Sequence, residues 1–324
     1  MKILLVDPPH PKGYYAFGLL KISAMLKDKG HEVHFAYGRQ ELNFIPKEIW
    51  ITSLFTYYYD DVIKTVLYYK KHFPKSEIKI GGIYASIMPD HVERFTGIKP
   101  HFGLLPEAEK YGNDYSLFET DYSFAFTSRG CIRKCPFCFV PKIEGKLQSV
   151  ENWEKDIDVS KDTIVFMDNN FLAKGIPAIR KDIDKIKDFV KRGVKMVDFR
   201  QAIDARVFNE EIAIMLSEIP IRPVRFAFDN MAEDGHCQKA IQLSLKHILK
   251  KGTSWYGGGF PNNIMIYVLY NFQDTPQNFY YRITEILKNG GCPYPMQYSP
   301  FEDLQRKFIG ENWTKTQRDN IKNL

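Results

Sequence analysis

The sequence lacks any hydrophobic stretch long enough to cross a bilayer. Its apolar runs, such as Ile264 to Tyr270, fall far short of the ~20 residues a transmembrane helix needs. The opening run reaches Asp7 before a signal-peptide core could form, so a cytoplasmic location with no membrane partner is expected. Charge of one sign is not massed anywhere. Lys and Arg number 45 against 39 Asp and Glu, a net +6, and the basic residues are scattered through amphipathic segments such as Arg180 to Arg192. That pattern reads as a solvated surface, and nucleic acid is not indicated. Cysteine is scarce: Cys131, Cys135, Cys138, Cys237 and Cys292 are all there is. An odd number with three crowded together is a poor disulfide framework and a good metal-binding one, which fits a reducing compartment. With 44% hydrophobic and 26% charged residues, disorder and fibrous repeats are excluded. At roughly 150 residues per domain, the 324 residues make about two domains with a sizeable core.

What is present is an alternation of apolar runs and helical patterns. In the first hundred residues, runs at Ile3 to Val6, His31 to Tyr37, Trp50 to Leu54 and Glu77 to Ile80 are separated by helical patterns at Gly18 to Lys29 and Asp60 to His72, with a short helix after Pro89. This spacing predicts a small open parallel sheet with crossovers on both faces, a Rossmann-like domain over residues 1–105. Residues 106–122, with Pro106, Gly112 and Asn113 and little periodicity, are the linker candidate. Beyond it, runs at Phe124 to Thr127, Thr163 to Met167, Val194 to Phe199, Val224 to Phe228, Ile264 to Tyr270 and Tyr294 to Tyr298 recur with helical patterns between most of them. Six strand-helix units over 123–300 predict a partial (β/α)6 barrel, so the fold class is α/β throughout. Residues 301–324 read as a polar tail with a surface helix.

In barrels of parallel strands the chemistry sits at the strand C-terminal ends. Directly after the first barrel strand stands Cys131-Ile132-Arg133-Lys134-Cys135-Pro136-Phe137-Cys138, a CxxxCxxC run. A loop there can fold three thiolates around one iron-sulfur cluster and donate backbone amides to the sulfurs. Three ligands for four irons leave one iron open for a substrate or cosubstrate. A structural zinc site is the rival, but zinc needs a fourth Cys or His nearby. The nearest His in sequence is His101, and Cys237 and Cys292 are distant and unpaired, suited to plain burial.

The cysteine run, with Phe137 before its third cysteine and a six-unit barrel around it, resembles the radical S-adenosylmethionine (SAM) superfamily. The resemblance implies a 4Fe-4S cluster on Cys131, Cys135 and Cys138, whose open iron takes the amino and carboxylate groups of SAM. Reduction, by a donor such as flavodoxin or ferredoxin, cleaves SAM to a 5′-deoxyadenosyl radical that abstracts hydrogen. Met167-Asp168-Asn169-Asn170-Phe171 is similar to a DDNF-like segment of the family's cobalamin-associated branch, which implies Asp168 near the SAM amino group; a cap on the next helix is its other use. Phe199 to Arg206 resembles that branch's third-strand motif and turns Gln201, Asp204 and Arg206 to the cavity. Arg206 either clamps the SAM carboxylate or pairs with Asp204. Asp229 ends the fourth strand, and Tyr270, Asn271 and Asp274 end the fifth; strand-end polar groups suit ribose or adenine, and equally suit turns. Phe228 is an adenine contact or core, and Gln297 or Tyr298 reaches the cavity from the sixth strand. Phe137, Asp168, Gln201, Arg206, Asp229 and Tyr270 are the expected SAM-binding positions.

A second resemblance lies in the N-terminal domain. Cobalamin-binding domains of this shape carry DxHxxG, SxL and GG segments, and here Thr52-Ser53-Leu54 is followed by Gly81-Gly82. The first loop, Asp7 to Gly13, is one residue too long for the motif, which puts His10 in doubt as a cobalt ligand. Tyr57-Tyr58-Tyr59 could stack on a flat cofactor or a base but more often such a run packs, and Trp255-Tyr256-Gly257-Gly258-Gly259 reads as a lid over the barrel mouth. The expected activity is radical SAM chemistry, extended to methyl transfer onto carbon or phosphorus if cobalamin binds. The alternatives are a cobalamin-free radical SAM enzyme acting on a nucleotide, RNA or peptide, and a non-catalytic zinc or nucleic-acid-binding protein.

Overall fold

The computed structural model describes residues 1–11, 13–249 and 263–322; the expected lid, 255–259, lies outside them. Four parallel strands open the chain: β1 (Lys2–Asp7), β2 (Glu32–Tyr37), β3 (Glu48–Ile51) and β4 (Glu77–Ile80), in the order β2-β1-β3-β4. Parallel neighbours need crossovers, and these cover both faces. Ile3 and Leu5 pack on α1 (Phe17–Asp28), while Leu4 and Val6 pack on α2 (Tyr59–His72), α3 (Ile83–Ile87) and α4 (Pro89–Thr96). Covered on both sides, β1 is apolar without interruption from Ile3 to Val6. In α2, Asp60 and Asp61 sit in the first turn and Lys70, Lys71 and His72 in the last, the charge order the helix dipole favours.

The second sheet system begins at β5 (Ser123–Ala125). Next, β6 (Ser128–Arg129) pairs antiparallel with β7 (Gln148–Ser149), and between them lie the cysteines and α5 (Val140–Ile143). Strand-helix units follow: β8 (Thr163–Phe166) and α6 (Ile176–Lys191), β9 (Met196–Phe199) and α7 (Glu210–Leu216), β10 (Val224–Ala227) and α8 (His236–His247), β11 (Ile264–Tyr270) and α9 (Pro276–Lys288), then β12 (Cys292–Gln297). The parallel sets β5-β8-β9 and β10-β11-β12 are joined by parallel bridges Val197↔Ile221 and Ile203↔Phe226, giving an arc of six strands in chain order. The helices are amphipathic: α6 buries Ile179, Ile183, Ile186 and Phe189 on one face.

The two parts share α1. Its Leu20 packs with Phe124 and Val165 of the arc, and Lys21 Nζ reaches both oxygens of buried Asp156 at 2.9 Å. The 106–122 segment runs along α1 and is tied to it, for example by Ser23 Oγ donating to Asp114 at 2.5 Å. The final segment corrects the expectation of a polar tail. Trp313 and Ile321, flanking and within α10 (Lys315–Lys322), are 5% and 3% exposed and belong to the main core. Asn271, in left-handed backbone at φ 66°, fastens this segment: Nδ2 donates to the Tyr298 and Phe308 carbonyls at 3.1 Å, and Oδ1 accepts from Gly310 N at 2.8 Å.

Candidate functional site

Both parallel sheets present their strand C-terminal ends to one cavity of about 1620 Å³. Small-molecule sites typically span roughly 300–1,000 Å³, so this space suits more than one ligand. From the first sheet come Tyr14, Thr52, Leu54, Phe55, Gly81 and Gly82; from the arc come all three clustered cysteines, Asn169, Asn170 and Asp229.

The cysteine loop is threaded tightly. Gly130 has φ +74°, and a Cβ there would sit 2.3 Å from the Lys146 carbonyl oxygen, so the turn into Cys131 needs glycine. Glu144 braces it, accepting from Gly130 N and from Asn169 Nδ2, each at 2.9 Å. The three thiols are half-buried, and the Cys131 sulfur accepts from Arg133 N at 3.3 Å and lies 3.9 Å from Asn170 Nδ2. Burial pushes the Cys135 thiol up, Arg206 opposes that, and Cys138 and Cys131 add to it by repulsion. Burial also pushes Cys138 up, with the Val140 amide opposing and Cys131 adding. The three sulfurs therefore share one electrostatic neighbourhood. Among the described residues, no three His, Cys, Asp or Glu side chains converge on the position of a single metal ion.

The residues expected at SAM divide into two groups. Phe137, Gln201, Arg206 and Asp229 line the cavity. Phe137 packs edge-on to Phe272 at 5.7 Å. Arg206 takes the paired alternative: Nε donates to Asp204 Oδ1 at 2.7 Å, and Nη1 lies 3.2 Å from Glu233. Asp204 also accepts from Arg133 Nε and Asn170 Nδ2, each at 3.0 Å. Burial works to raise the Asp204 carboxyl, but Arg206, Arg133 and Asn170 outweigh it and hold it below the usual range. Asp229 differs, because burial first and the neighbouring Glu233 second push its carboxyl up to about 7.

Asp168 and Tyr270 are corrections. Asp168 is 3% exposed and turned away from the cavity. Its oxygens accept from Thr127 N at 3.0 Å and from the Thr127 and Ser128 hydroxyls at 2.6 Å, so it fastens the end of β5 and the start of β6. Of that segment, Asn169 and Asn170 reach the cavity. Tyr270 is core, packed on Phe279 and Trp313. Asp274 is bound to Arg282, and Phe228 is buried in the core. Neither Gln297 nor Tyr298 lines the cavity; Met296 and Tyr294 do. Cys237 is buried in the core and its thiol pushed up to about 12, while Cys292 is half-buried on β12.

In the N-terminal part, the Gly pair serves the backbone as well as the cavity. A Cβ on Gly82 would lie 2.4 Å from the Ser53 carbonyl oxygen, and Ser53 Oγ donates to Gly81 O at 2.8 Å. His10 does not line the cavity; its Nε2 pairs with Asp7 at 2.9 Å and Nδ1 faces Pro11 O at 3.0 Å. Tyr57, read first as packing and second as a stacking surface for a flat cofactor or base, lines the cavity and stacks on Phe55 with ring centres 5.1 Å apart. The residues that sequence reasoning missed are Arg133, Glu233, Arg200 and the Asp198–Arg225 pair. The signal was there for the last pair: a charge in the middle of each of two otherwise apolar strands, β9 and β10.

No family model matches the chain. The ribosomal protein uS12 methylthiotransferase RimO of Thermotoga sp. (strain RQ2) is 25% identical over 199 residues, 53% of this chain and 45% of RimO. The match thus spans under half the length of that curated relative. Two structures of the radical SAM methyltransferase TsrM from Kitasatospora setae share the fold at 12% identity. One holds cobalamin and a [4Fe-4S] cluster, with a TM-score of 0.71 over 91% of this chain and 74% of TsrM. The other holds tryptophan substrate and a SAM analogue, aza-SAM, with a TM-score of 0.70 over 91% and 72%. The chain thus shares the fold of these radical SAM structures, with its three-cysteine motif opening into the cavity between the two sheets.

Proposed function

We propose that the protein is a radical SAM enzyme whose cavity also takes a corrinoid, and that it catalyses methyl transfer. The observation that carries this reading is the opening of the cysteine loop into a space of about 1620 Å³ walled on its far side by the C-terminal ends of the first sheet. The donor set fits a 4Fe-4S cluster: three half-buried thiols on one short loop open into the cavity, with the Arg133 amide on the Cys131 sulfur. When bound, the cluster supplies the electron that cleaves SAM reductively, and a protein donor such as flavodoxin or ferredoxin would replenish it. Asn170 has one buried side-chain oxygen, Oδ1, without a hydrogen-bond partner among the described residues, and is suited to receive a donor from SAM. Asp229 and Gln201 are the remaining polar groups we assign to SAM. Arg206 is a positioning residue that fixes Asp204 and, through it, Arg133 of the loop.

For the corrinoid, Thr52, Leu54, Gly81 and Gly82 offer a surface of backbone and small side chains, with Tyr14, Phe55 and Tyr57 beside it. His10 is tied to Asp7, so we assign it no role on cobalt. The test is chemical. Anaerobic reconstitution should give about four irons and four sulfides per chain, lost in Cys135→Ala, and hydroxocobalamin should survive gel filtration with the wild type. Zinc without sulfide would contradict the cluster; iron and sulfide with no retained corrinoid would favour the cobalamin-free reading.

A further inference from the structure

Inside the six-strand arc, below the cysteine loop, lies a charged cluster that the reading above does not use. Asp198 on β9 is 2% exposed and accepts from Arg225 on β10, Nε at 2.7 Å and Nη2 at 3.0 Å, and from Arg200 Nε at 3.2 Å. Arg225 Nη1 goes to the Tyr267 hydroxyl at 3.1 Å and the Met265 thioether at 2.8 Å. Arg200 Nη1 goes to the Tyr122 hydroxyl, and its guanidinium lies 4.5 Å from that ring's centre. Two guanidiniums thus share one carboxylate, and among the described residues no second acid contacts them. Arg225 spends its Nε, both Nη1 hydrogens and one of two Nη2 hydrogens on these partners, whereas Nη2 of Arg200 has no partner among the described residues. Both arginines line the cavity.

The surplus positive charge lies at the cavity wall, with the free edge of Arg200 open to whatever anion enters. The site is built: Asp198 fixes both guanidinium planes, and the tyrosines hold their outer edges. We propose that Arg200, backed by Asp198 and Arg225, binds the carboxylate of a small-molecule substrate with an aromatic or apolar body. The surplus is a single charge, which matches a carboxylate and not a doubly charged phosphate. The walls beside it, Tyr122, Phe124, Tyr267 and Tyr294, are aromatic. Arg225 and Asp229 are four residues apart on β10 and its extension, roughly 13 Å at ~3.3 Å per residue. Asp229, Arg200 and the three clustered cysteines line the same cavity. A ligand anchored at Arg200 therefore extends its body toward the cysteine loop. Calling it a substrate rests on the radical-enzyme reading; the binding site does not.

The test is isothermal titration calorimetry of the anaerobically reconstituted full chain with 4-phenylbutyrate, its primary amide, and 3-phenylpropyl phosphate. The acid should bind roughly 10- to 100-fold more tightly than the amide, the range for a hydrogen bond to a charged group. Arg200→Met should abolish that preference and Arg200→Lys retain part of it. The Arg200 side chain is 32% exposed, so its removal leaves no sealed void. Equal binding of acid and amide, or an intact preference in Arg200→Met, overturns the proposal, and tighter binding of the phosphate overturns its choice of anion. Cys135→Ala should keep the acid preference; in the wild type, an intact preference without a SAM-responsive cluster would sink the functional reading and leave this site standing.

Discussion

Replacing Asp168 separates two roles for that residue. Its carboxylate is 3% exposed and accepts three hydrogen bonds, from Thr127 N and from the Thr127 and Ser128 hydroxyls, three residues before Cys131 at the nearest. Asp168→Ala leaves those three donors buried beside a void. At about 1–3 kcal/mol for each stranded group, and with the hydroxyls able to turn elsewhere, the net loss is about 3–5 kcal/mol. For a chain of this size that lowers the melting temperature by roughly 4–7 °C. Asp168→Asn keeps an acceptor oxygen and should lose about half as much. Differential scanning calorimetry on the cluster-free protein measures this without any cofactor. The reasoning is refuted if both variants melt with the wild type while SAM affinity of the reconstituted protein collapses, which is the behaviour of a residue that touches SAM.

Three further expectations follow from the same contacts. Lys21→Met strands Asp156 as a buried lone charge between the two parts of the molecule and should cost about 3–5 kcal/mol; Lys21→Met with Asp156→Asn should recover much of it, read by thermal melting. Asp229 has a folded-state pKa of about 7, above its unfolded value of about 3.9, so its contribution is present at low pH and fades as pH rises from roughly 4 to 7. Asp229→Asn should flatten that part of the stability–pH profile in the cluster-free protein, and an unchanged slope would contradict the assignment. Gly82→Ala places a methyl 2.4 Å from the Ser53 carbonyl oxygen at φ +102° and should destabilise by several kcal/mol, whereas Gly81→Ala, whose Cβ would meet only His101 at 3.9 Å, should melt close to the wild type.

The fold was legible because burial imposes a pattern on each element. β1 is covered on both faces and is apolar from Ile3 to Val6, and α6 repeats Ile179, Ile183 and Ile186 on one side. The position of the cysteine loop was legible because it directly follows the first strand of the arc, where strand C-terminal ends face the cavity. The residues around it were less so, since a strand-end Asp has the same spelling whether it faces a ligand or ties down its neighbour. Asp168 binds the preceding strand while Asn169 and Asn170, next in sequence, face the cavity; only the direction of the chain after β8 decides between them. Tyr270 ends β11 as Asp229 follows β10, but alternation along the strand sends its ring into the core. The polar composition after Pro300 concealed Trp313 and Ile321, two large apolar residues that dock the segment. Arg225 and Asp198 escaped because each looks like a flaw in an apolar strand until pairing across β9 and β10 brings them within 2.7 Å.

The central claim is that Cys131, Cys135 and Cys138 hold a four-iron cluster with one iron open to SAM. Low-temperature EPR of the anaerobically reconstituted, dithionite-reduced protein, recorded with and without SAM, tests it most directly. The account predicts a reduced four-iron signal whose shape changes on adding SAM and which is absent in Cys135→Ala. A signal indifferent to SAM, or no iron signal in a correctly folded protein, would contradict it.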